Sequence, residues 1–208
     1  MASFSLPPPR RALLALAAAA PSLARAERPR DYRWRVMREG RPIGTHDVTF
    51  TRQGARLSAV SEVSVAPRVL GVVVYRYEHR YTEVTEAGRF LSVVSRLNRN
   101  GRVVEVSAEA IPGGVCVRGP EGELRLPPEA APLSWWEPQR FGGAVPIFGT
   151  STGRPMQLSW TREARPGGGL RWRTAGEIEA VLDYDAAGRW VGYAVKGDDG
   201  STVSYEPA

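Results

Sequence analysis

The amino-acid sequence predicts an all-β protein: a single curved antiparallel meander sheet, forming a half-barrel or open barrel, with a long Pro/Trp-rich covering loop. Three observations predict it. Apolar and polar residues alternate with a period of two in many short segments, turn residues separate these segments at short intervals, and no sustained 3.6-residue period occurs after the first 26 residues.

The stretch from Arg56 to Gly101 carries the clearest alternation and forms the centre of the predicted sheet. Within it, residues 69–81 are expected to form one long strand in which Tyr75 and Tyr77 share the inward parity, whereas Arg76 and Arg80 face water. Asn100-Gly101 closes this stretch and is typical of a type I′ hairpin turn.

The other strands extend this sheet on both sides. Residues 32–37 and 43–50 are expected to form the first two strands, and strands resume after residue 101 with turns at glycine- and proline-rich positions. The remaining expected strands are residues 103–108, 115–118, 123–126, 156–160, 170–172, 178–184, 190–195 and 202–205.

Residues 127–148 interrupt this pattern. They contain several prolines, the pair Trp135-Trp136 and Phe141, so they are too apolar for a solvated linker and too rich in proline for a strand or a long helix. A long packed loop with one short helical turn, covering part of the sheet, is expected here.

The first 26 residues have the pattern of a cleaved export signal. Arg10-Arg11 precede a short apolar run, and Ala24-Arg25-Ala26 forms an A-x-A site with cleavage expected before Glu27. We therefore expect residues 1–26 to be removed and residues 27–208 to form a single β half-barrel domain in the periplasm or outside the cell. The paired arginines fit twin-arginine export in part, which leaves this route and the general secretory route open. The apolar run is too short for a membrane-spanning helix, so no transmembrane segment is expected.

Charge and cysteine content narrow the functional classes. The full chain has a formal charge of +6, and removal of the three arginines in the leader leaves +3. Most of the basic residues are arginines that alternate with acids, so no nucleic-acid-binding surface is predicted. The single cysteine, Cys116, cannot form an intramolecular disulfide, and its place in an apolar segment favours a buried, inert thiol.

Short landmarks along the whole chain resemble an uncharacterised family of exported proteobacterial β-proteins, a domain of unknown function. The resemblance implies a curved antiparallel sheet similar to the half-barrels of periplasmic lipoprotein carriers, and it implies no activity. In those carriers helices lie in the mouth of the half-barrel, a position that only the loop from Trp135 to Phe148 could take here. The landmarks are residues 38–46, 75–80, 136–138, 152–153, 184–190 and 199–202.

No catalytic or metal-binding motif survives inspection, so the protein is expected not to be an enzyme and to need no cofactor or metal. Residues 149–153 match G-x-S-x-G, but no helix is expected after Ser151, which favours a plain turn. His46 and His79 are too few to hold a metal ion by themselves and are expected to be core or cleft-edge residues. Asp183, Asp185, Asp198 and Asp199 lack the spacing of a calcium loop and are expected in hairpin turns.

The aromatic residues give the remaining functional hypothesis. A strongly bent sheet must fill its concave face with side chains, a covering loop or a ligand. The sequence therefore suggests an apolar or amphipathic ligand, such as a lipid, an acyl chain or a lipoprotein. The expected contacts are Tyr75, Tyr77, Trp135, Trp136 and Phe141. The alternative is a non-enzymatic envelope scaffold or assembly protein that docks a partner through an edge strand or through the Trp135-Trp136 loop.

Overall fold

A computed structural model describes residues 29–197 and 199–208, and it confirms the all-β prediction. The expected leader, residues 1–26, lies outside the described residues. Strand bounds are β1 Tyr32–Arg38, β2 Arg41–Gln53, β3 Arg56–Val65, β4 Arg68–Val69, β5 Val72–Val73, β6 Tyr77–Glu86, β7 Arg89–Arg99, β8 Arg102–Ile111, β9 Gly114–Gly119, β10 Gly122–Leu126, β11 Ala131–Pro132, β12 Ile147–Phe148, β13 Leu158–Ala164, β14 Leu170–Gly176, β15 Ala180–Tyr184, β16 Trp190–Lys196 and β17 Thr202–Pro207.

Thirteen of these strands form one antiparallel sheet in the order β10-β9-β8-β7-β6-β3-β2-β1-β17-β16-β15-β14-β13. Neighbours in sequence are neighbours in the sheet in nearly every case, as a meander requires. There are two exceptions. β3 pairs with β6, because β4 and β5 lie outside this sheet, and β1 pairs with β17, which joins an amino-terminal and a carboxy-terminal meander. The sheet does not close into a barrel, so β10 and β13 form its two edges.

The covering loop, residues 127–157, connects these two edges and packs against the inner face of the sheet. It contains one 3₁₀ turn, Pro138–Arg140, as the sequence predicts, and the short parallel pair of β11 and β12, which the sequence did not predict. Its apolar residues Leu133, Trp136, Phe141 and Phe148 belong to the same buried core as the inward residues of the strands. The concave face is therefore filled largely by the chain itself.

Four hairpins turn through a residue and a glycine that both have positive φ, the geometry of a type I′ turn. The predicted turn at Asn100-Gly101 is one of them, with φ of 51° and 89°. The others are Glu39-Gly40, Leu70-Gly71 and Ala87-Gly88.

One predicted element is wrong. Residues 69–81 do not form a single strand, because the turn at Leu70-Gly71 folds β4 and β5 into a small hairpin of their own, and β6 begins only at Tyr77. From Tyr77 onward the predicted parity is correct, with Tyr77 and Tyr81 facing inward and Arg80 facing water.

Two smaller features complete the fold. Cys116 is buried and has no disulfide partner. Within the described residues, no helix is long and apolar enough to span a membrane.

Candidate ligand-binding site

The structure divides the five predicted ligand contacts into two groups. Tyr75, Tyr77 and Trp135 keep part of their surface exposed, whereas Trp136 and Phe141 are 9% and 4% exposed and lie in the core. The prediction for the last two stays untested, but in this conformation a ligand would have to displace them to occupy the centre of the concave face. The candidate site is therefore built from the exposed group.

Trp136 and Phe141 serve as the plug of the concave face. The Trp136 ring stacks on Tyr81 with centroids 5.8 Å apart and meets Phe50 edge-on at 6.0 Å. Phe141 stacks on Trp160 at 4.3 Å and meets Trp172 at 5.9 Å. Two loop residues five positions apart thus contact opposite halves of the sheet.

A buried charge pair fixes this plug to the sheet. The Glu83 side chain, on β6, is 1% exposed and its Oε1 lies 2.6 Å from Nη2 of Arg140, which is 6% exposed. The contact is an ion pair without the alignment of an ideal hydrogen bond. Ser134 Oγ donates to Glu83 Oε2 at 2.5 Å, and Arg140 Nη1 donates to the Pro132 carbonyl at 3.2 Å. Both ends of the pair therefore have additional partners in the loop.

At one rim of the half-barrel the plug ends and a row of tyrosines begins. Cross-strand register places Tyr77, Val65, Gly44, Val36, Tyr205 and Tyr193 in one line from β6 to β16. The middle of this line has only small side chains, and Gly44 has none, so the tyrosines rise on either side of a low floor. We call Tyr75, Tyr77, Tyr193 and Tyr205 the tyrosine mouth.

Gly44 is required at this floor by the neighbouring strand. A Cβ at Gly44 would lie 2.0 Å from the Ser64 carbonyl oxygen, a distance that no side chain could occupy without separating β2 from β3. The register shift between Val36 and Met37 on β1 faces the same position. The absence of a side chain at Gly44 therefore both allows β2 and β3 to approach closely and keeps the floor of the line low.

The tyrosines of the mouth interact with one another. Tyr193 and Tyr205 have ring centroids 4.7 Å apart, and burial, with smaller contributions from Tyr205 and Tyr77, raises the pKa of Tyr193. Burial raises the pKa of Tyr77 to about 12, with a smaller contribution from Tyr75. Burial likewise raises the pKa of Tyr205. The hydroxyls of Tyr77, Tyr193 and Tyr205 are therefore protonated at neutral pH and can donate hydrogen bonds.

These hydroxyls contrast with the other buried tyrosine hydroxyls in having no protein partner. Tyr184 Oη donates to the Trp135 carbonyl at 2.6 Å, and Tyr32 Oη accepts from the Trp190 N–H at 3.4 Å. Among the described residues, the hydrogen bonds include none to the hydroxyls of the mouth. None of them is among the fully buried side-chain atoms that lack a partner, so these hydroxyls reach the surface at the rim and are available to a ligand.

Two further side chains lie next to the tyrosine mouth. The Trp135 ring lies 5.2 Å from Tyr193 and joins the mouth to the plug. The Arg99 guanidinium lies over the Tyr77 ring, 5.6 Å from its centroid, and is exposed. The arrangement combines aromatic faces, neutral hydroxyl donors and one cation, which together match an amphipathic molecule with an oxygen-rich or anionic head.

His46 and His79 are buried behind the mouth and each has a serine partner. His46 Nε2 lies 2.9 Å from Ser61 Oγ, and His79 Nε2 lies 2.9 Å from Ser95 Oγ. Burial lowers the pKa of His46 to about 3 and that of His79 to about 4, so both rings are neutral at physiological pH. They form part of the aromatic layer, as expected for core histidines.

Most of the other motifs considered in the sequence occupy turns, but the prediction of a turn position for Asp183 is wrong. Residues 149–153 form a turn closed by the Gly153 N–H on the Gly149 carbonyl at 2.8 Å, and no helix follows it. Asp185 and Asp199 accept backbone N–H groups within their hairpin turns, whereas Asp183 lies on β15 and pairs with Arg171. Asp198 lies outside the described residues. In the described part of the chain, no group of three or more His, Cys, Asp or Glu could hold a metal ion.

Two surface grooves lie away from the mouth, on the carboxy-terminal strands. One of about 560 Å³ crosses β13 to β17, and one of about 310 Å³ lies beside the β13–β14 and β15–β16 turns. None of the five predicted contacts lines either groove.

Sequence reasoning missed Tyr193, Tyr205 and Glu83. The two tyrosines are more than 100 positions from Tyr77, and only the pairing of β1 with β17 brings them together. For Glu83 a signal was present, because it shares the inward parity of Tyr77 and Tyr81. An acid at an inward position indicates a buried partner.

Comparison with known proteins identifies a family and a fold. A family model described as a domain of unknown function, DUF6134, matches residues 34–208. A comparison with curated proteins found no match. Among solved structures, a β-barrel-like protein of domain of unknown function DUF1849 from Brucella abortus is similar, with 9% sequence identity, a TM-score of 0.57, and coverage of 86% of this chain and 94% of that chain. A DUF1089 family protein from Pseudomonas aeruginosa has 15% identity, a TM-score of 0.44, and coverage of 81% and 92%.

Proposed function

The chain belongs to the DUF6134 family of unknown function, and from that premise we propose that it is a non-enzymatic binding protein for an amphipathic ligand in the periplasm. The ligand binds at the tyrosine mouth and not in the centre of the concave face. The observation that carries the proposal is the grouping of neutral tyrosine hydroxyls without protein partners beside the partly exposed rings of Tyr75, Tyr77 and Trp135.

The chemistry of the mouth defines the ligand class. Tyrosine hydroxyls donate to phosphate, ester or sugar oxygens, and Arg99 attracts a negative charge. The partly exposed ring of Trp135, which packs against the buried Tyr193, provides an apolar surface for the first part of an acyl chain. A lipid or the lipid-modified end of a lipoprotein combines both features. The plug limits the depth to which such a chain enters.

The first experiment is native mass spectrometry of the protein recovered from the cell envelope without detergent. We expect a lipid-sized adduct on the wild-type chain. Tyr205→Phe removes only the hydroxyl group and should reduce both the adduct and the affinity for lysophosphatidylglycerol about three- to tenfold, the usual effect of one lost hydrogen bond. Tyr32→Phe, at the opposite rim, is the matched control. A wild-type chain that carries no adduct and does not bind lysophosphatidylglycerol would refute the proposal.

A second candidate function is docking of an envelope protein. Its support is the open sheet, because β10 and β13 offer unpaired backbone groups at both edges. The Trp135-Trp136 loop is less suited to docking, since Trp136 is packed in the core. Photocrosslinking in cells from Glu163 on β13, compared with Val94 on the outer face, tests this candidate. A discrete crosslinked product from Glu163 alone would support it.

A further inference from the structure

A small apolar hairpin projects from the same rim as the tyrosine mouth. It comprises residues 68–74, with β4 and β5 as its arms. Leu70 at its tip is 99% exposed, and Val72 and Val74 are 65% and 57% exposed. These are three of the seven large hydrophobic residues that are exposed in the described chain, and they occur within five positions.

The folding of the hairpin does not explain why its tip residue is a leucine. Leu70 has φ of 48°, a left-handed conformation that side chains other than those of glycine, asparagine and aspartate adopt at a cost. The three other turns of this type have Glu39, Ala87 or Asn100 at the equivalent position, which are polar or small. Leu70 adds neither turn preference nor buried area, so its apolar surface points to a contact outside the chain.

Positive charge surrounds this hairpin. Arg68 lies at its base, Arg41 lies on the adjacent β2, and Arg99 and Arg102 flank the neighbouring turn. All four side chains are exposed, and the ion pairs of the described residues include none of them. Arg76 is also on this rim and pairs with Glu78 at 3.7 Å. Apart from Glu78, the acidic residue nearest in sequence to these arginines is Glu39, in the turn before Arg41.

Backbone hydrogen bonds hold the hairpin in this position. The Val74 N–H donates to the Pro67 carbonyl at 3.1 Å, and the Asn100 N–H donates to the Arg76 carbonyl at 2.9 Å. Arg76 N–H also donates to Asn100 Oδ1 at 2.7 Å. The apolar tip and the arginines of the neighbouring turns are therefore parts of one rim, with fixed relative positions.

We propose that this rim docks on an anionic lipid bilayer, with Leu70, Val72 and Val74 inserted among the acyl chains near the headgroups and the arginines on the phosphates. A few apolar side chains together with basic residues provide the two contributions that peripheral membrane binding needs. A second copy of the chain fits less well, because a tip of three apolar side chains is far smaller than the area of a stable dimer interface. The proposal does not depend on ligand binding by the tyrosine mouth.

Vesicle flotation tests the proposal with a closely matched pair of variants. Val72 on the hairpin and Val94 on the outer face of β7 are 65% and 66% exposed. The experiment compares the wild-type chain with Val72→Asp and Val94→Asp, each as recovered from the expressing cell. Intact mass spectrometry first verifies that all three chains begin at the same residue. The vesicles contain phosphatidylglycerol with phosphatidylethanolamine, or phosphatidylcholine alone.

We expect the wild-type chain and Val94→Asp to float with the anionic vesicles, and Val72→Asp to lose at least about tenfold in partitioning. Arg102→Gln should lose roughly fivefold on anionic vesicles and nothing on neutral ones. A Leu70→Cys chain carrying an environment-sensitive dye, which Cys116 is too buried to take up, should report an apolar environment on binding.

Equal flotation of Val72→Asp and Val94→Asp, or no flotation of the wild-type chain with anionic vesicles, would overturn the proposal. A wild-type dimer in sedimentation velocity that Val72→Asp abolishes would instead assign the hairpin to a second copy. Tyr205→Phe should float normally, so failure of ligand binding at the mouth and failure of membrane docking give different results.

Discussion

Replacing Arg140 by methionine should destabilise the protein strongly, because it leaves the Glu83 carboxylate buried without its counter-ion. The side chains are 6% and 1% exposed, and their charged atoms lie 2.6 Å apart. Removal of one partner from a buried pair costs about 3–5 kcal/mol of the free energy of unfolding. The loss of the Arg140 hydrogen bond to the Pro132 carbonyl acts in the same direction. A fall in Tm on the order of 10 °C is expected for a chain of this size.

Urea denaturation followed by tryptophan fluorescence measures this effect, since Trp136 lies four residues from Arg140 and stacks in the core. The matched control is the double variant Glu83→Leu/Arg140→Met, in which both charges are absent. Burying two apolar side chains in place of a buried pair is often neutral or stabilising. We therefore expect the double variant to be within about 2 kcal/mol of the wild type.

The two variants together separate charge from packing. A loss below about 1 kcal/mol in Arg140→Met would show that the pair is solvated in solution, as exposed ion pairs are. A double variant as unstable as the single one would show that the shape of the Arg140 side chain matters and its charge does not. Either result would refute the conclusion that a buried charge pair fixes the plug to the sheet.

Three further predictions concern stability and its pH dependence. Gly44→Ala should cost about 2–4 kcal/mol in urea denaturation, since its Cβ would lie 2.0 Å from the Ser64 carbonyl oxygen. Gly192→Ala should cost less, because its Cβ would meet the Asp183 side chain at 3.3 Å and no backbone atom; equal losses would contradict the close approach. Burial lowers the pKa of His79 to about 4 from 6.5, so stability is retained above pH 6.5 and falls as the pH drops toward 4. His79→Gln should reduce this dependence of the free energy of unfolding on pH by up to about 1.4 kcal/mol per pH unit. An unchanged dependence would show that the ring is solvated. Burial raises the pKa of Glu137 to about 7 from 4.5, so its contribution to stability is present below pH 4.5 and is lost as the pH rises through 7. In unfolding experiments, Glu137→Gln should be more stable than the wild type at pH 8 and equal to it at pH 4. The reverse order would contradict this direction of the pKa shift.

The sequence predicted the parts of the fold that depend on local pattern. The alternation of Tyr77, His79 and Tyr81 placed one face of β6 inward, and Asn100-Gly101 placed a hairpin turn. The packed loop with one helical turn was also predicted, because prolines together with aromatic residues permit little else. Each of these follows from a few neighbouring residues.

The parts that were missed depend on distant contacts or on a local exception. The tyrosine mouth forms only because β1 pairs with β17, and no pattern within either strand signals that pairing. The apolar hairpin interrupts an alternation that continues through it in sequence, so the period of two predicted a strand there. Positive φ at Leu70 is what breaks the strand, and leucine gives no turn signal.

Ligand binding at the tyrosine mouth is tested most directly by NMR of the tyrosine ring signals. The chain has seven tyrosines, so each ring can be followed separately during a titration with lysophosphatidylglycerol. We predict saturable shifts for the four rings of the mouth and unchanged signals for Tyr32, Tyr81 and Tyr184, which lie at the other rim or under the plug. Shifts centred on Tyr81 would mean that the ligand displaces Trp136 and enters the concave face. No shift in any ring would mean that the mouth binds no such ligand.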